Sequence, residues 1–183
     1  MWYNNCSLTL KLKLKLIRIL NLALHLLFTH TETETHIIMT SAFILDKFIT
    51  ILNTLESEIK AYTSEEDLWK LSGEIKNTPA NLALHLCGNL RHFIGAVIGN
   101  DGYVRDRDAE FSRTDVTRDE IISEISQTKT AIQNALKDDI NFDSSYPVRL
   151  LDKDWTTGGF LFYIYGHFNY HLGQINYHRR MKK

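Results

Sequence analysis

Pro79 and Pro147 are the only prolines in a chain of 183 residues, and both stand beside breaks in the hydrophobic pattern. What they leave uninterrupted is helical periodicity. Four stretches carry it. The first, over residues 41–62, follows Thr40 or Ser41 as N-cap and sets Phe43, Ile44, Phe48, Ile51, Leu52, Leu55 and Ile59 on one face. The second starts at Thr78, a cap followed by Pro79 in the first helical position, and runs to about residue 98, where Gly99-Asn100-Asp101-Gly102 stops it. The third begins after Thr117, with Glu120 completing a capping box, and carries Ile121, Ile122, Ile125, Ile132 and Leu136. The fourth covers residues 159–180, with Arg179 and Arg180 at the end that the helix dipole favours for cations.

Helices of this size are each about 33 Å long, and four of them describe an all-α four-helix bundle. The connections, over residues 63–77, 99–115 and 137–156, are long enough to join parallel as well as antiparallel neighbours. A 21.3 kDa chain with 44% hydrophobic and 23% charged residues can bury a core without metal or disulfide staples. Its net charge of −1 offers no field for nucleic acid or an anionic bilayer. Two cysteines, Cys6 and Cys87, make no disulfide framework and point to a reducing compartment, the cytoplasm.

Residues 1–38 read differently. Leucine alternates with Thr9, Lys11, Lys13 and Lys15 in a strand period, and the apolar run that follows is too short for a membrane span and lacks a cleavage signal. The simplest account takes Met39 as the natural start and the preceding stretch as upstream translation without selected structure. The alternative is an amphipathic arm that binds a membrane surface or a partner. Residues 39–183 form the bundle and offer no membrane segment.

The chemistry lies in histidine spacing. On the last helix His167, His171, Gln174 and His178 fall at roughly 0°, 40°, −20° and 20°, one narrow line. On the second helix His85, Asn89 and His92 repeat the design. Histidines four apart can grip one metal from successive turns, and a third imidazole from a facing helix leaves a position for water or substrate. His167 and His171 are the expected pair, with His85 as third ligand. His92 and His178 are expected beside the site or at its solvent edge. Asn89 and Gln174 either orient a water or an imidazole or make an interhelical hydrogen bond. Core histidines bonded to carbonyls or tyrosines remain an alternative for the whole set.

With these positions in view the chain resembles the DinB-like family of metal-dependent four-helix bundles, from about residue 41 to residue 180. The carriers are the run Asn81 to His92 (NLALHLCGNLRH), Tyr103 to Phe111 (YVRDRDAEF) and His167 to Ile175 (HFNYHLGQI). The resemblance implies an up-down-down-up bundle, a Zn or Ni ion on His85, His167 and His171, and a homodimer. It also implies a link to transferases and isomerases that use a low-molecular-weight thiol such as bacillithiol, mycothiol or glutathione. The expected function is therefore transfer of such a thiol to a small electrophilic substrate. A metal-dependent hydrolase and a non-enzymatic, stress-associated metal-binding bundle are the alternatives.

Three smaller expectations accompany this one. Cys87, two residues from His85, points elsewhere and is an ordinary buried thiol. Arg105, Arg107 and Arg113, interspersed with Asp106, Asp108 and Glu110, form a self-paired, solvated loop rather than a patch for the acidic groups of a thiol cofactor. Trp69 and Trp155, in long connections, roof a pocket or pack over a bundle end.

Overall fold

The computed structural model describes residues 40–182. The expectations attached to residues 1–38 and to a start at Met39 lie outside them. Among the described residues there are five α-helices and no strand beyond two isolated bridges, Ser145 with Thr156 and Leu150 with Lys153. No helix among them is long and apolar enough to cross a membrane.

Helix α1 (Ser41–Lys60) begins where the Thr40 side chain accepts from the Phe43 N–H at 3.1 Å, and it buries Ile44, Phe48, Ile51, Leu52, Leu55 and Ile59. It ends two residues before the expected boundary. Tyr62 nevertheless packs into the core, its hydroxyl donating toward the Ile175 carbonyl at 3.1 Å. Helix α2 (Pro79–Leu90) is capped by Thr78, and all twelve of its residues are buried. It is the central rod. The chain continues through Arg91–Ala96, but as a wider π turn rather than the expected α-helix, with Val97 N–H bonded to the His92 carbonyl at 3.0 Å. Here Gly95 and Gly99 admit the neighbouring helix: a Cβ on Gly99 would stand 2.7 Å from that of Ala135.

The connection over residues 99–115 is not irregular throughout. It folds into a short helix, α3 (Arg107–Ser112), capped by Asp106 and packed on α2. Asn81 fastens it there, donating to the carbonyls of Glu110 at 3.2 Å and Arg113 at 3.0 Å. Helix α4 (Arg118–Ala135) opens with the expected capping box of Thr117 and Glu120. Helix α5 (Thr157–Met181) starts from a Thr156 cap, two residues earlier than its periodicity indicated. Glycines at 158 and 159 weaken the hydrophobic signal without preventing the turn.

Helices α1 and α2 both pack against α4 and α5, and make little contact with one another. Phe48, Leu52, Leu55, Ile121, Ile125, Phe160 and Phe168 fill the space between them. Each such side chain contributes about 1.5–3 kcal/mol through burial. The last connection is tied down as well. Tyr146 stacks on Phe160 with centroids 3.8 Å apart, and its hydroxyl donates to the Phe93 carbonyl at 2.7 Å, locking the start of α5 to the π turn. Trp69 and Trp155 are both half-buried against the core.

Candidate metal centre

On α5 the buried line runs through Leu161, Ile164, Phe168, Leu172 and Ile175. By helix geometry its centre lies roughly 60–80° from the line of His167 and His171. Those two imidazoles therefore sit at the rim of the core, half-buried, while His85 projects from the middle of α2 and is buried. The three rings meet there. His85 Nε2 is 3.1 Å from His167 Nε2. Ring centroids are 5.4 Å apart for His85 and His167, 5.3 Å for His85 and His171, and 4.6 Å for His167 and His171. Every pair is close to perpendicular, at 84°, 90° and 89°. One nitrogen from each ring lies within 4.8 Å of the others.

Hydrogen-bond partners assign the tautomers of two rings. His85 donates from Nδ1 to Glu110 Oε2 at 2.9 Å. His171 donates from Nδ1 to Gln174 Oε1 at 2.7 Å, and Gln174 is oriented in turn by donating to the Tyr170 hydroxyl at 3.3 Å. In both rings Nδ1 is engaged, which leaves Nε2 as the nitrogen each can offer an ion. Burial lowers the pKa of His171, helped by His85, although the Gln174 bond works against it. Burial, with His171, His85 and Arg105 nearby, lowers that of His167 to about 4. Three converging imidazoles are a donor set that a divalent transition metal takes. The 3.1 Å between His85 Nε2 and His167 Nε2 is less than twice a metal–nitrogen bond of about 2.05 Å, so both could reach one ion. The residues fit such an ion.

Behind His85 stands a group that the spacing of residues did not reveal. Glu110 is 6% exposed and accepts from Arg105 Nε at 2.6 Å and Nη2 at 2.8 Å as well as from His85. Burial alone would raise its pKa, but the bonds from Arg105 and His85 outweigh that and hold it below the usual carboxylate range. Arg105 and Glu110 are thus paired, as expected, but inside the protein rather than in a solvated loop. Gly88 was the available sign. A glycine inside a helix costs about 1 kcal/mol, which calls for a close neighbour, and here that neighbour is the Glu110 carboxyl.

The triad opens onto a cavity of about 350 Å³, whose walls include Asn89, Arg105, Arg107, Phe111 and Tyr163. Trp155 packs behind Tyr163, 5.1 Å between centroids. A larger cavity of about 610 Å³ lies farther along α5 toward its C-terminal end, against residues 74–79, and contains none of the three histidines. Of the other residues singled out, Asn89 lines the triad cavity and Gln174 holds His171. His92 stands outside the group, its ring edge-on to Phe93 and its Nδ1 buried without a hydrogen-bond partner. His178 is buried at the other end of the stripe, where Nδ1 meets the Tyr62 hydroxyl at 3.0 Å and Nε2 donates to the Lys70 carbonyl at 3.0 Å. Burial pushes the Cys87 thiol up to about 12, so it is no nucleophile at neutral pH.

A family profile described as "Protein of unknown function (DUF1572)" matches residues 42–183. No curated protein matches the chain.

Proposed function

From the premise that this chain belongs to the DUF1572 family, we propose that it is a metal-dependent enzyme of the DinB-like type that transfers a low-molecular-weight thiol to a small electrophile. The observation that carries this reading is the convergence of three imidazoles, two of them with their protons directed away, beside an open cavity. A structural metal site is closed and four-coordinate, whereas three ligands beside a cavity leave a place for a reactant. The up-down-down-up course, Zn or Ni as the ion and assembly as a homodimer are further parts of the reading, supported by the sequence resemblance, and a cytoplasmic location is supported by the two cysteines that make no disulfide framework.

A divalent ion held by His85, His167 and His171 supplies charge that keeps a bound thiol as its thiolate near neutral pH. The chain does the rest. Glu110 and Gln174 hold two of the rings with their Nε2 atoms inward. Phe111 and Tyr163 line the cavity beside the three rings and give it apolar wall. The sulfur forms a bond to the electrophilic carbon, the leaving group departs with its electron pair, and the thiol proton passes to solvent.

Hydrolysis is the weaker reading because no free carboxylate lines this cavity among the described residues; Glu110 is engaged by Arg105 and His85. The test has two steps. Elemental analysis of untagged protein should find one metal per chain, absent from His85→Ala and His171→Ala. Zn- or Ni-loaded protein should then accelerate conjugation of glutathione, bacillithiol or mycothiol to monochlorobimane. Metal retained by both variants would overturn the ligand set, and loaded protein inert with all three thiols would overturn the transferase reading.

A further inference from the structure

The walls of the triad cavity carry two guanidiniums and, among the described residues, no carboxylate. Arg105 is spent on Glu110, and Arg113 pairs with Asp115 at 3.7 Å. Arg107 differs from both. Among the described residues it makes no ion pair, and its guanidinium carbon lies 5.4 Å from the centroid of Phe111, on the rim of the same cavity as the histidines. Neither neighbouring acid pairs with it: Asp106 is engaged as the cap of α3, and Asp108 lines, together with Arg107, a more open depression alongside. The same cavity is lined by Phe93, Phe111, Tyr163 and Ile164.

We infer that the substrate of this site is a small organic acid with an apolar or aromatic body, whose acidic group is received by Arg107 while its reactive atom faces the three histidines. This rests on the metal-site reading for the reactive end only. The planar fork of arginine suits a carboxylate or a phosphate oxygen pair. A cavity that has, among the described residues, an ion-pair-free guanidinium at its rim and no carboxylate in its walls attracts such anions. The cation–π contact with Phe111, 5.4 Å from the ring centroid, restrains this exposed side chain, so that less freedom is lost when the acid docks. Arg107 is the specificity determinant, and the aromatic walls take the body of the molecule.

The experiment compares phenylacetate, benzylphosphonate and the neutral 2-phenylethanol by calorimetric titration of metal-free and Zn-loaded protein, wild type, Arg107→Gln and Arg107→Lys. Arg107→Gln leaves the triad intact, and its metal content is measured alongside. One of the two acids should bind at least about tenfold more tightly than the alcohol, and Arg107→Gln should erase that advantage. Arg107→Lys, which keeps the charge but not the fork, should fall between them. The better of the two acids identifies the group. Equal affinity for acids and alcohol, or an acid preference that survives Arg107→Gln because the ion alone holds it, would overturn the inference. Protein that takes up no metal would defeat the metal reading, while the metal-free titrations would still decide the role of Arg107.

Discussion

Glu110 occupies the space into which a side chain on Gly88 would project. The carboxyl is held there from both sides, by Arg105 and by His85. A residue of α3 and a glycine of α2 thus fit together so that a buried acid can reach the outer nitrogen of a candidate ligand.

Gly88→Ala tests that fit. Helix propensity alone would favour the alanine by about 1 kcal/mol. Because Glu110 is tied by three hydrogen bonds and cannot simply swing away, the overlap should dominate and cost about 1–3 kcal/mol. Chemical denaturation should show the loss, with weakened Zn uptake. A stabilised variant with normal metal affinity would show that Glu110 is free to move.

Glu110→Gln keeps the shape and removes the charge. Groups that support metal-bound histidines typically change affinity by about 10–100-fold, so competition with a chromophoric chelator should reveal a weaker site in a folded protein. Glu110→Ala should be worse in another way. It leaves Arg105, only 12% exposed along its side chain, without its partner, and should cost about 3 kcal/mol of stability.

His178→Ala separates the two ends of the α5 stripe. It should retain metal, unlike His171→Ala, yet lose about 1–3 kcal/mol, because the Lys70 carbonyl and one side of the Tyr62 hydroxyl lose their partner. Metal analysis and thermal melting of the same two preparations provide the comparison. Loss of metal from His178→Ala would place the centre elsewhere on α5.

The same residue gives a pH dependence. Burial depresses the folded-state pKa of His178 below its ordinary value of 6.5, aided by Lys182 and opposed by the Lys70 carbonyl and Asp67. The unfolded chain therefore takes up a proton first as pH falls. Its contribution to stability is complete above about pH 6.5 and is lost as pH drops below that value toward the depressed pKa. Melting temperatures of metal-free protein should decline from pH 7 to pH 5, and less steeply in His178→Gln. Equal slopes would mean that this ring titrates as it does in the unfolded chain.

Three helix starts could be read from the chain because caps are local: Thr40, Thr78 and Thr117 each act within three residues of themselves, whereas Thr156 caps α5 in the same way but two residues before the start that periodicity indicated. The alignment of His167 with His171 has the same origin, one turn of α5. The π turn at Arg91–Ala96 was invisible, since its sequence is compatible with an ordinary α-helix. So was α3, whose alternating charges conceal that Glu110 faces inward while Asp108 faces water.

Local spacing thus settled which segments are helical and which histidines share a face, because backbone hydrogen bonds and side-chain direction repeat with a period that neighbours in the chain impose. The approach of His85 to His167 and the burial of Glu110 behind it were set by packing between segments far apart in the chain. Those contacts depend on how α2, α3 and α5 share one core, and no periodicity within any one of them encodes that arrangement.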